Sequence, residues 1–142
     1  MKWIVVQKST LVGGFSLPDT NQLVVTSDGE VYQCSARFGS NLESIMTPEH
    51  RKPNIVNMDD IYDIDDMIDV KQLDNEIGID CQRDFTRGTI SRSYSVYLGD
   101  KVYFFDQYGS NCGHLATQYK KNLADTIKTV IDQYHEDLSS KQ

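Results

Sequence analysis

The pair Asp28-Gly29 divides LVVTSDGEVYQCS, residues 23–35, into two runs of β-branched, aromatic and alternating side chains. Asp and Gly tolerate the positive φ angles of a two-residue type I′ turn, so the pair predicts a hairpin with Val25 opposite Tyr32. A second hairpin follows the same logic. Across residues 90–98, Ile90, Tyr94, Val96 and Leu98 share one face, and Ser91, Ser93 and Ser95 share the other. Gly99-Asp100 then turns the chain into KVYFFD at 101–106. Tyr94, Tyr97, Tyr103, Phe104 and Phe105 crowd this hairpin, which predicts a central strand pair covered at least in part on both faces. KWIVVQK at 2–8 reads as one more strand. Gly13-Gly14 after it marks a bulge or a loop close to other backbone.

Helical spacing appears in two places. Asn57 is an N-cap candidate for a helix over about residues 58–70, with Ile61, Ile64 and Ile68 in one stripe and Asp59, Asp63 and Asp66 opposite. The phase breaks after Val70, because in the same helix Leu73 and Ile77 would point out with the aspartates. Near the C-terminus, Asn122 and Asp125 resemble a capping pair. Leu123, Ile127, Val130, Ile131, Tyr134 and Leu138 follow at helical spacing. Between the first hairpin and the acidic helix, Thr47-Pro48-Glu49 suggests a helix start that Pro53 keeps short, within a stretch that is otherwise loop.

These elements define an α+β fold. An antiparallel sheet of two β-hairpins plus an N-terminal strand packs on a C-terminal amphipathic helix, with a peripheral acidic helix. At 142 residues the chain suits one domain, here residues 1–138, followed by a frayed tail at 139–142. The apolar run from Trp3 to Val6 is too short for a signal-peptide core or a membrane span. Three widely separated cysteines, Cys34, Cys81 and Cys112, are odd in number and suit reduced thiols in a cytoplasmic protein.

Charge is unevenly placed. The chain carries a net −7, yet residues 56–80 hold nine of its 21 acids and one base, Lys71. The remaining sequence is close to neutral. A segment of this kind argues against nucleic-acid or anionic-membrane binding, both of which need a basic patch. Asp59 to Asp69 in helical form place six carboxylates along about 15 Å, a density comparable to the one charge per about 1.7 Å of duplex DNA. Such a face suits a basic groove on a partner protein. A plain solvated helix face is the competing explanation, and neighbouring like charges cost such a helix a few tenths of a kcal/mol per pair, about 0.2–0.5.

Chemistry-bearing motifs are scarce. Asp63 and Asp65 match the first spacing of a calcium loop, but Met67 takes the third ligand position and Ile68 that of the Gly. Cys112-Gly113-His114 joins a thiol and an imidazole with no family signature around them. His50, Cys81 and His135 share no zinc spacing. Neither GxGxxG nor GxxxxGK[ST] occurs. Neither a catalytic set, a metal site nor a cofactor is therefore assigned. Arg83, Arg87 and Arg92 approach the second hairpin and can grip a phosphate, although Asp80 and Asp84 are nearer partners.

Ser9, Gly13-Gly14-Phe15 and a strand ending in Ser27-Asp28-Gly29 resemble, at scattered positions, the opening of emfourin-type metalloprotease inhibitors. A Tyr-rich strand pair and a terminal helix are compatible with that family. No residue role is carried over from it.

The leading expectation is a small acidic binding protein, an inhibitor, immunity or anti-defence protein rather than an enzyme. Its partner would be a protein with a basic surface, met by Asp59, Asp60, Asp63, Asp65, Asp66 and Asp69 with Tyr62 as an anchor. Two alternatives stand beside it. One is a small-ligand binder or sponge using Arg83, Arg87 and Arg92; the other is a cysteine-dependent enzyme using Cys112 and His114. Neither the identity of the partner nor the oligomeric state is legible in the sequence.

Overall fold

The computed structural model describes residues 2–11, 19–36, 41–74, 90–106 and 118–140. Strands β1 (Ile4–Leu11), β2 (Asp19–Thr26), β3 (Val31–Ala36), β4 (Arg51–Lys52), β5 (Ile90–Leu98) and β6 (Lys101–Asp106) form one antiparallel sheet in the order β4-β3-β2-β1-β5-β6. With the C-terminal helix α4 (Gln118–Ser140) laid across it, the architecture is α+β, as the sequence predicts. Gly13-Gly14 lies outside the described residues.

Both hairpins form, with two corrections. The first closes through three residues, not two. Val24 faces Tyr32 and Val25 faces Val31, so the predicted pairing of Val25 with Tyr32 is off by one. The reason is Gly29. It takes φ +84° as the third loop residue while its N–H bonds to the Thr26 carbonyl (2.9 Å) and Thr26 N–H bonds to the Glu30 carbonyl (2.9 Å), the geometry of a turn that ends on a left-handed residue. A side chain at Gly29 would also meet Met58 Sδ at 2.9 Å. The shift matters because one residue of slip moves a strand's side chains to the other face. Val25 and Val31 therefore enter the main core, and Tyr32 turns away from it.

The second correction concerns position. The aromatic hairpin β5–β6 is not the central pair: β6 is an edge strand, and β1 lies between the two hairpins. The hairpin keeps its predicted faces, with Tyr94, Val96, Tyr103 and Phe105 buried in the main core. Its turn is the predicted Gly99-Asp100, with Gly99 at φ +61° and Leu98 paired to Lys101.

Helix α4 is longer than its apolar stripe suggests. It begins at Gln118, so Asn122 is an interior residue whose side chain accepts from Gln118 Nε2 (2.8 Å) and is not a cap. Leu123, Ile127, Val130, Ile131 and Tyr134 are buried against the sheet, and Tyr134 O–H donates to the Pro53 carbonyl (2.8 Å). The helix continues to Ser140, two residues beyond Leu138. Helix α1 (Leu42–Ile45) lies on the other face of the sheet, where Ile45 packs with Val6, Val24 and Tyr32. A 3-10 turn at Pro48–His50 follows.

The acidic helix α2 (Met58–Met67) is capped by Asn57, whose side chain accepts from Asp59 N–H (3.0 Å). It ends at Ile68, earlier than predicted. The chain then restarts as α3 (Val70–Asp74) in a new phase, and this break buries Leu73, which a continuous helix would expose. Ile61, Ile64 and Ile68 join the main core beside α4, so this outer helix contributes a full apolar stripe to the fold. No described helix is long and apolar enough to cross a membrane.

Candidate acidic interface

Helix geometry sorts the acidic residues into two groups. At 100° per residue, Asp59, Tyr62, Asp63 and Asp66 share an arc of about 100° opposite the Ile stripe. All four are exposed, Tyr62 by 56%. No described Lys or Arg forms a salt bridge with Asp59, Asp63 or Asp66; among the described residues Arg51 pairs with Glu30 (2.9 Å) and Lys101 with Asp74 (3.4 Å). Among the described residues, one exposed aromatic ring is thus flanked by three carboxylates that form no salt bridge.

The remaining three candidates do not point outward with them. Asp65 is half-buried and accepts the indole N–H of Trp3 (2.9 Å), a side chain only 1% exposed. A buried indole N–H needs an acceptor, and Asp65 supplies it across the seam between β1 and α2. Asp69 serves the restart of the chain. Its carboxylate accepts from Gln72 Nε2 (2.9 Å) and Lys71 N–H (3.0 Å), and its own N–H donates to Tyr119 Oη (2.9 Å). The Gln72 side-chain hydrogen bond is the main reason its carboxyl is held below the ordinary value, helped by backbone hydrogen bonds from Gln72 and Lys71.

Asp60 is half-buried at the first turn of α2, facing the last turns of α4. Burial pushes its carboxyl pKa up, and the charges of Asp63, Asp137 and Asp59 push it further. An open groove of about 390 Å³ runs there between Val56, Asn57 and Asp60 on one side and Gln133, Asp137 and Ser140 on the other. The sequence reading overlooked Asp137. A signal was present: Asp132, Glu136 and Asp137 fall in the C-terminal part of α4, whose last turn carries no base, although the helix dipole favours cations at that end.

Of the alternative arginines, Arg92 is half-buried on β5 opposite Ser9. Arg83 and Arg87 lie outside the described residues, as do Cys81, Cys112 and His114. Cys34 is a half-buried free thiol. Among the described residues no three His, Cys, Asp or Glu side chains are grouped to hold a metal ion. Chemically, the α2 face offers negative charge and one amphipathic ring, which suits electrostatic steering of a cationic surface. No family model matches the chain, and no curated protein or solved structure matches it either.

Proposed function

We propose that this is a small acidic binding protein that neutralises a protein partner, in the manner of an inhibitor, immunity protein or anti-defence factor, and acts by binding rather than catalysis. The observation that carries this reading is the exposed Tyr62 set among Asp59, Asp63 and Asp66, none of them in an ion pair with a described base. Like charges on one helix face weaken the helix. A basic groove on the partner would remove that repulsion on binding. Charge would speed the encounter, and Tyr62 would anchor the complex. Widely spaced cysteines, with Cys34 a free thiol, accord with a reducing compartment such as the cytoplasm.

The test is kinetic. With a partner captured from the native host and purified, association is measured at two ionic strengths for the wild type and for Asp59→Asn/Asp63→Asn/Asp66→Asn. The expected result is slower association for the triple variant, a wild-type rate that falls with salt, and unchanged folding. Equal association rates would overturn the steering model.

A further inference from the structure

The two ends of the sheet differ. The tight turns at 27–29 and Gly99-Asp100 close one end. At the other end β1 stops at Leu11, β2 starts at Asp19, β3 stops at Ala36, β5 starts at Ile90 and β6 stops at Asp106.

The floor at this end is unusual. On the face shared with Val6 and Val24, cross-strand partners Thr10 and Thr20 are 9% and 7% exposed, and Gln22, which faces Lys8, is 5% exposed. Among the described residues none of the Thr10, Thr20 and Gln22 side chains has a hydrogen-bond partner. Buried polar groups are ordinarily paired, and leaving an amide and two hydroxyls without partners carries a desolvation penalty. A complementary ligand would relieve it. On the same face the half-buried Lys8 stands directly opposite Gln22. The acidic helix α2 packs in the core on the opposite face.

We propose that Lys8, Thr10, Thr20 and Gln22 form a binding site for a small oxyanion-bearing molecule, a phosphate or a carboxylate. Lys8 supplies the charge, the hydroxyls and the Gln22 amide supply neutral donors, and the sheet holds all four in register. The site uses none of the residues of the acidic interface, so the two readings stand or fall separately.

The experiment is a titration of the full-length, isotope-labelled chain followed by amide NMR, with inorganic phosphate in one series and citrate in another. Saturable shifts are expected at residues 8–10 and 20–22 and at the Gln22 side-chain amide. The anion that saturates at lower concentration identifies the class. Lys8→Met should weaken binding by about tenfold or more, since it removes a charge-assisted contact, while Gln22→Met should weaken it less. Shifts that never saturate, or that centre on other surface lysines, would overturn the proposal. So would a folded Gln22→Met or Thr20→Val variant with undiminished affinity, because the patch would then be a buried polar cluster satisfied by water alone.

Discussion

The two faces of the sheet are built from the same strands and do different work. Beneath α4 and α2, side chains from Val5, Leu23, Val25, Val31, Tyr94, Val96 and Phe105 make one continuous apolar layer. On the other face the apolar cluster is Val6, Val24, Tyr32 and Ile45, and beyond it the same strands bury Thr10, Thr20 and Gln22. The difference follows from what covers each face. Among the described residues, a 23-residue helix lies over the first face, and a four-residue helix packs on the second. The first face fixes register and stability. The second buries polar side chains beside its small apolar cluster.

The largest expected effect tests that division. Ile127→Ala, in the large cluster, should cost about 2–5 kcal/mol, and Ile45→Ala should fall at the low end of that range because its small cluster can collapse around the gap. Denaturant melts measure both. Equal losses would mean that the two faces contribute alike and that the comparison fails.

Next in size is the seam between β1 and α2. Asp65→Ala removes the acceptor from the Trp3 indole N–H and should cost about 1–3 kcal/mol. The exposed Asp63→Ala should stay within about 0.5 kcal/mol. Since Trp3 is the single tryptophan, its emission should shift in the first variant and not in the second.

The third prediction concerns pH at the edge of the sheet. Tyr103 O–H donates to Asp74, and that bond, with burial and the Asp74 charge adding to it, lifts the phenol to about 12. A folded phenol that keeps its proton above its ordinary value of 10.0 makes stability fall as pH rises from about 10 to 12. Tyr103→Phe should flatten this part of the profile. In the acid range the sign reverses. The same hydrogen bond, with Lys101, holds the Asp74 carboxyl below 3.8, so its contribution is present above that value and is lost as pH falls through the lowered one.

The smallest effect lies in the groove between α2 and α4. Because the Asp60 carboxyl is raised above 3.8, ionising it weakens the fold. Asp60→Asn should therefore raise stability at neutral pH by a few tenths of a kcal/mol, about the size of a helical like-charge pair. This gain should shrink as pH falls through the raised pKa toward 3.8 and the wild-type carboxyl takes up its proton. A constant gain across that range would show that the carboxyl is not raised.

Legibility followed the range of the forces involved. Both hairpins, the Asn57 cap and the Ile61, Ile64 and Ile68 stripe were readable because each depends on residues within a turn or two. The loop length at Gly29 was not, since Asp-Gly is compatible with two-residue and three-residue turns, and Met58 and Ile55 come from distant sequence to pack on it. The sequence sets Asp59, Asp63 and Asp66 opposite the Ile stripe but groups Asp60, Asp65 and Asp69 with them as binding residues. Only three of them, Asp59, Asp63 and Asp66, turned out to share one open face with Tyr62.

By itself the sequence determined the α+β class, the strand pairs joined by tight turns, the apolar stripes of α2 and α4, and the concentration of charge in one segment. Periodicity and turn chemistry are local, so a single chain displays them without its fold. Tertiary structure alone decided that β1 separates the hairpins, that Asp65 is committed to Trp3 and Asp69 to α3, and that Asp137 faces Asp60 across a groove. Each of these depends on which distant surfaces meet. That choice follows from burial summed over the whole core, and no short window of sequence contains the sum.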